Sequence, residues 1–220
     1  MAKKIKVESN ILKKNNLTAE ENKKYFRDHN LFVLNLVSSP GSGKTTLIEK
    51  TIEDLQNKID IYVIEGDQQT SRDAERIKKA GAEAVQINTG KACHLNAVNI
   101  KKAVDKLKPS NNSLVIIENV GNLICPSMFD LGENLRVVII SVTEGEDKPI
   151  KYPNMFHSSD LCLVNKIDLL PFVEYDIEQT LDYCREVKRD LDIMKVAAIN
   201  GEGMQKWYKW IADKSGLFKI

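Results

Sequence analysis

The chain has 220 residues and a mass of 24.9 kDa, near the upper size for one hydrophobic core, so a single globular domain is expected. A hydrophobic fraction of 42% against 29% charged residues excludes wholesale disorder, and 32 Lys+Arg against 31 Asp+Glu gives a net charge of +1, without the basic excess of a nucleic-acid binder. No apolar run approaches the roughly 20 residues of a membrane span, and no signal-peptide core follows the basic start Lys3-Lys4-Ile5-Lys6; a soluble, cytoplasmic protein with neither nucleic acid nor membrane as partner is expected.

Residues 1–30 are rich in Lys, Asn and Glu, and Thr18-Ala19-Glu20-Glu21 fits a capping box, which predicts a short amphipathic N-terminal helix as an extension before a domain over 31–220. Leu31–Val37 is almost wholly apolar, as in a parallel strand covered on both faces. Comparable runs recur at Ile59–Ile64, Ala84–Ile87, Leu114–Ile117, Val137–Val142, Leu161–Val164 and Val196–Ile199. Helical spacing fills Thr46–Gln56, Ala97–Leu107, Val173–Leu191 and Met204–Ile211. This alternation predicts an α/β fold: a mostly parallel sheet of about seven strands with helices on both faces. The four cysteines form no disulfide framework, and Cys162 and Cys184 read as small buried hydrophobes.

Directly after the first strand stands Ser38-Ser39-Pro40-Gly41-Ser42-Gly43-Lys44-Thr45, which fits the P-loop pattern except that Ser38 replaces its first glycine. The glycines let successive amides curl toward phosphate oxygens at a helix N-terminus. Gly41, Ser42, Gly43, Lys44, Thr45 and Thr46 are the expected phosphate contacts; Lys44 reaches the β- and γ-phosphates and the Thr45 hydroxyl binds Mg²⁺. The run Leu114–Ile117 delivers Glu118 at its tip and Gly121 three residues later, similar to a Walker B and switch region with Glu for the commoner Asp. Glu118 and Asp67 are the candidate acids of the Mg²⁺ shell, and the Gly121 amide is placed to sense the γ-phosphate. Lys44, Thr45, Asp67, Glu118 and Gly121 therefore form the expected hydrolytic set.

Asn165-Lys166-Ile167-Asp168 follows the sixth run and fits N-K-x-D. The Asp168 carboxylate accepts guanine N1–H and the exocyclic amine, whereas adenine leaves it unpaired, so GTP is the expected nucleotide. The Lys166 stem covers the ring, Asn165 ties this loop to the P-loop, and Ile199 in Ala198-Ile199-Asn200-Gly201 offers a backbone contact to the base.

Cys93-His94 precedes a helix, and Cys125 follows Glu118 by seven residues. A helix N-terminus favours thiolate, and thiolate with imidazole suits nickel, zinc or copper in preference to Mg²⁺. Three donors cannot close a four-coordinate site, but two chains about a two-fold axis supply each donor twice. The alternative is a buried cysteine beside a capping histidine.

Together Ser38–Thr45, Asn88–Leu95, Glu118–Pro126 and Asn165–Asp168 resemble the HypB family, GTPases of nickel insertion into [NiFe]-hydrogenase, within the SIMIBI class of P-loop GTPases. The resemblance covers about residues 30–215. It implies a nucleotide-dependent homodimer with Ni²⁺ at the interface on Cys93, His94 and Cys125, a site that Zn²⁺ can also occupy. It further implies that Lys151 reaches the partner subunit's guanine, and that the partners are the nickel-binding maturation protein HypA and a [NiFe]-hydrogenase large subunit. The Cys-rich or His-rich start of some relatives is lacking, so tight terminal nickel binding and storage are not expected. Asn122 stands where Ras-like GTPases keep a water-orienting Gln, which implies slow intrinsic turnover. The rival within the fold is a UreG-like urease GTPase, which usually has Cys-Pro-His where this chain has Cys93-His94-Leu95. The rival class is a metal-binding interaction protein in which nucleotide is only structural.

Overall fold

The computed structural model describes residues 2–67, 72–90 and 92–220. Seven strands run parallel in one sheet: β1 (Phe32–Ser38), β2 (Ile61–Asp67), β3 (Glu83–Asn88), β4 (Leu114–Glu118), β5 (Leu135–Ser141), β6 (Leu161–Asn165) and β7 (Asp192–Lys195), in the order β3-β2-β4-β1-β5-β6-β7. Among the described residues eight α-helices accompany them: α1 (Ala2–Asp28), α2 (Lys44–Leu55), α3 (Arg72–Ala80), α4 (Ala97–Leu107), α5 (Lys148–Lys151), α6 (Pro153–His157), α7 (Ile177–Val187) and α8 (Met204–Ser215). The α/β P-loop architecture expected from the alternating runs is thus the observed one. Among the described residues no helix is long and apolar enough to cross a membrane.

Every residue of β1 is buried, because α2 and α8 cover one face of the sheet and α1, α4, α6 and α7 the other. Leu34 and Leu36 face the first layer with Leu47, Ile48, Trp207 and Ile211; Val33 faces α1 and α4, and Val37 packs with Phe156 and Cys184. Cys162 and Cys184 are fully buried, as their apolar settings predict. The core reaches the site through β4. Leu114, Val115, Ile116 and Ile117 are all fully buried, and each such side chain contributes about 1.5–3 kcal/mol. That gain offsets the cost of ending the strand on the buried acid Glu118.

Three readings are corrected. The N-terminal helix is not started by a capping box: α1 is continuous over 27 residues, and the Thr18 hydroxyl donates to the Lys14 carbonyl one turn back. This helix packs against α4. Asn15 donates to the Asp130 carbonyl at 2.8 Å and accepts the Ala97 amide at 2.9 Å, while Asn22 donates to the carbonyls of Ala97 and Leu131, both at 2.9 Å. The seventh strand is Asp192–Lys195, not Val196–Ile199; it is an edge strand whose half-buried Ile193 and Met194 lie between exposed charges. The helical run read over Val173–Leu191 shortens to α7, preceded by a 3₁₀ turn at Ile167–Phe172 and capped by the Asp176 side chain on the Gln179 amide.

Candidate functional site

The sheet order reverses beside β1, between β4 and β5, where α/β folds place their ligands at the carboxyl ends of the strands. There lies a cleft of about 550 Å³ whose lining includes Gly41 through Thr46, Glu65, Asp67, Glu118, Gly121 and Lys166. The P-loop turns at Gly43 (φ +93°), and a Cβ there would fall 2.5 Å from Asn165 Nδ2. Only glycine permits both the left-handed backbone and that close approach. Lys44 is buried and donates to the Ser38 hydroxyl at 2.8 Å. Burial pushes its pKa down, against the opposing pull of Glu118. Thr45 Oγ1 donates to Glu118 Oε1 at 2.8 Å, while buried Glu118 Oε2 has no partner among the described residues. Burial raises the Glu118 pKa, opposed first by Lys44. A hydroxyl and an unsatisfied carboxylate side by side fit the oxygen preference of Mg²⁺.

The base end is assembled as a hydrogen-bonded clamp. Asn165 Nδ2 donates to the Ser42 carbonyl at 2.8 Å, and Asn165 Oδ1 accepts the Ala198 amide at 3.2 Å. Lys166 adopts φ +61° and sets its ammonium on the Gly41 carbonyl at 2.7 Å. Asp168 is the second residue of the following 3₁₀ turn, and its buried Oδ1 has no partner among the described residues, which leaves the carboxylate free to accept the donors of guanine. Ile199, next to Ala198, is 75% exposed. Lys151 stands apart from the cleft lining, on α5, ion-paired with Asp147 at 2.6 Å.

Beyond the phosphate end, Cys93, His94 and Cys125 bring three ligand atoms within 4.8 Å of one another. The Cys93 thiol donates to Cys125 Sγ at 2.7 Å, and His94 Nδ1 lies 3.7 Å from Cys93 Sγ. A tetrahedral set with metal–sulfur distances of about 2.3 Å has edges of roughly 3.5–3.8 Å, so the two sulfurs must separate to enclose an ion, while the spacing of Cys93 and His94 already fits. His94 stacks on Phe129, with ring centroids 4.0 Å apart, and burial lowers its pKa, which keeps a nitrogen lone pair available. The helix-dipole argument for Cys93 fails. Helix α4 starts only at Ala97, capped by Asn96, and the contact with Cys125 pushes the Cys93 thiol up. Lys91 of the sequence motif lies outside the described residues.

The two regions are joined by side chains the sequence reading did not single out for that role. Asn119, directly after Glu118, accepts the Leu95 amide at 3.3 Å and its own neighbour's amide at 3.0 Å, and donates to Asn35 at 3.2 Å. Asn122 donates to the Cys93 carbonyl at 3.2 Å and accepts the Ile124 amide at 2.8 Å, so its side chain serves the thiol loop rather than a water beside the phosphate. A Cβ on Gly66 would fall 2.8 Å from the Leu95 side chain, so the loop after His94 seats directly on the tip of β2. Sequence reasoning also missed Glu65, Asp73 and Arg76, all in the cleft lining. The Ala74/Ile77 spacing was the available signal for α3. Glu65 is buried within β2, and burial first, then Glu118, pushes its carboxyl up to about 8.

The sequence profile of the CobW/HypB/UreG nucleotide-binding domain matches residues 32–195. The hydrogenase maturation factor HypB of Azotobacter chroococcum is 54% identical over 212 residues, which is 96% of this chain and 70% of that protein. The hydrogenase/urease maturation factor HypB of Helicobacter pylori is 39% identical, covering 96% of this chain and 88% of its own. A crystal structure of HypB from Helicobacter pylori in complex with nickel superposes with a TM-score of 0.87 at 37% identity, over 94% of this chain and 98% of that one. With a profile spanning most of the chain and relatives this similar along nearly its whole length, the protein belongs to the CobW/HypB/UreG family of nucleotide-binding domains.

Proposed function

We propose that this chain is a GTP-hydrolysing metallochaperone for maturation of [NiFe]-hydrogenase, in which the nucleotide state controls nickel held by Cys93, His94 and Cys125. The observation that carries this reading is the Asn119 side chain: it bonds the Leu95 amide from a position directly after Glu118. A strand tip that senses phosphate therefore pulls on the backbone next to His94. Lys44 and the P-loop amides bind and orient the phosphates, Asp168 selects guanine, and Thr45, Asp67 and Glu118 would hold Mg²⁺. When bound, Mg²⁺ neutralises charge developing on the transferred phosphoryl group. Gly121, across the cleft, is the candidate sensor of the γ-phosphate.

The donor set needs a fourth ligand, and a second copy of the chain supplies one. Ile124 and Met128, 60% and 55% exposed, flank Cys125 and give such a homodimer an apolar contact. In that arrangement Lys151 exchanges Asp147 for the partner subunit's guanine. Zn²⁺ competes for the same donors. The relatives named as hydrogenase maturation factors support a hydrogenase as client; HypA and the [NiFe]-hydrogenase large subunit, in the cytoplasm, are the partners that the family resemblance implies.

A nickel titration of Cys93→Ala tests the donor assignment. Loss of one of two thiolates is expected to weaken nickel binding by roughly a hundredfold or more, with GDP affinity within about twofold of wild type. Unchanged nickel affinity would remove Cys93 from the site.

A further inference from the structure

The acidic side of the cleft holds more carboxylate than the contact between Thr45 and Glu118 uses. Glu65 stands opposite Glu118 in the parallel register of β2 and β4, and two residues before Asp67. In-register neighbours on parallel strands, and residues two apart on one strand, share a face. Glu65, Asp67 and Glu118 thus converge at the strand tips above one cleft, and all three line it. Glu65 is only 2% exposed, yet its buried Oε2 has no hydrogen-bond partner among the described residues. Such a group costs folding free energy without return, so the fold itself gives no reason to keep it.

The charge balance points the same way. Glu65, Asp67, Asp73 and Glu118 face Lys44, Arg76 and Lys166 across the lining, and Arg76 is already engaged by Glu49 and Asp73. A polyphosphate entering beside four acids is repelled unless a cation stands between them. We infer that Glu65 is a third carboxylate of the divalent-cation site, accepting hydrogen bonds from the cation's bound water and making nucleotide binding depend on that cation. This rests on the reading of the cleft as a Mg²⁺–nucleotide site. It adds a residue to that site and a consequence: without metal, an ionised Glu65 opposes the phosphates.

The test uses the full chain, with Glu65→Gln and Glu65→Asp. At pH 8.5, above the value of about 8 to which burial raises the Glu65 carboxyl, GDP affinity is measured in EDTA and in saturating Mg²⁺, and Mn²⁺ binding to the GDP complex by electron paramagnetic resonance. Glu65→Gln is expected to raise metal-free GDP affinity about three- to tenfold and to lower Mn²⁺ affinity about five- to twentyfold. Glu65→Asp, which keeps the charge, should hold both within about threefold. The glutamine variant should melt at or above the wild-type temperature, because a buried unpaired acid is gone. Parallel loss of metal-free and metal-bound affinity, or unchanged Mn²⁺ affinity, would overturn the assignment of Glu65. A wild-type protein whose GDP affinity ignores Mg²⁺ would overturn the cation site as a whole.

Discussion

Replacing Lys44 by alanine is expected to lower GTP hydrolysis about a hundred- to a thousandfold, the usual consequence of removing a preorganised charge from a developing anion. Lys44 is 9% exposed, and its bond to the Ser38 hydroxyl uses one of three N–H donors, leaving two for the phosphates. Its burial opposes the charged form, and Glu118 and the neighbouring acids offset part of that penalty. A cation kept charged at that cost acts on an anion far more strongly than one in water. The same burial means that alanine removes a desolvation penalty along with the charge, so the variant should remain folded. Single-turnover phosphate release together with a thermal melt checks both halves. Wild-type protein that releases phosphate no faster than a folded Lys44→Ala variant would favour the metal-binding protein in which nucleotide is only structural.

Asp168→Asn is expected to weaken GDP binding about a hundredfold, because one carboxylate oxygen becomes an N–H facing guanine donors. The buried Oδ1 of Asp168 has no partner among the described residues, so none of them compensates once the nucleotide's donors are mismatched. The amide can instead donate to the C2 carbonyl of xanthine, and affinity for xanthosine diphosphate should rise. Paired titrations with the two diphosphates report this exchange directly. Unchanged GDP affinity would remove Asp168 as the base reader. The surrounding clamp of Asn165 on Ser42 and Ala198 is untouched by the substitution, which separates base reading from loop folding.

Most of the sheet was legible because six of its strands carry apolar runs. Wherever both faces are covered, as in β1, β4 and β6, the sequence is apolar almost throughout, with polar residues such as Asn35 and Glu118 held by hydrogen bonds. The seventh strand escaped for the opposite reason. Val196 and Ala197 are buried by packing beyond the ladder, whereas Asp192–Lys195 pairs with β6 as an edge and needs little apolar surface. Helix α1 was underestimated because its anchors are asparagines, and Asn15 and Asn22 reveal their value only through backbone groups some 75 to 115 residues away.

The candidate site divides along the same line. The P-loop and N-K-x-D segments are local motifs, readable at fixed spacing; that Cys125 meets Cys93 is a tertiary fact, reached in the sequence through family resemblance. Glu65 was passed over because the apolar run ends at Ile64, although β2 continues to Asp67. The linking roles of Asn119 and Asn122 have no sequence signature, since each depends on which backbone amide or carbonyl the fold brings within reach.

The central claim, that nucleotide and metal sites are coupled through this strand tip, is tested most directly by titrating nickel into the protein bound to a non-hydrolysable GTP analogue and to GDP. The Asn119 and Asn122 bonds place the two sites on one connected segment, and coupling of about 1–3 kcal/mol should make the two nickel affinities differ by roughly 5- to 150-fold. By reciprocity nickel must shift the preference between the two nucleotides by the same factor, and Cys125→Ala should erase most of the difference while leaving nucleotide binding intact. Equal nickel affinities in both nucleotide states of the wild-type protein would contradict the account.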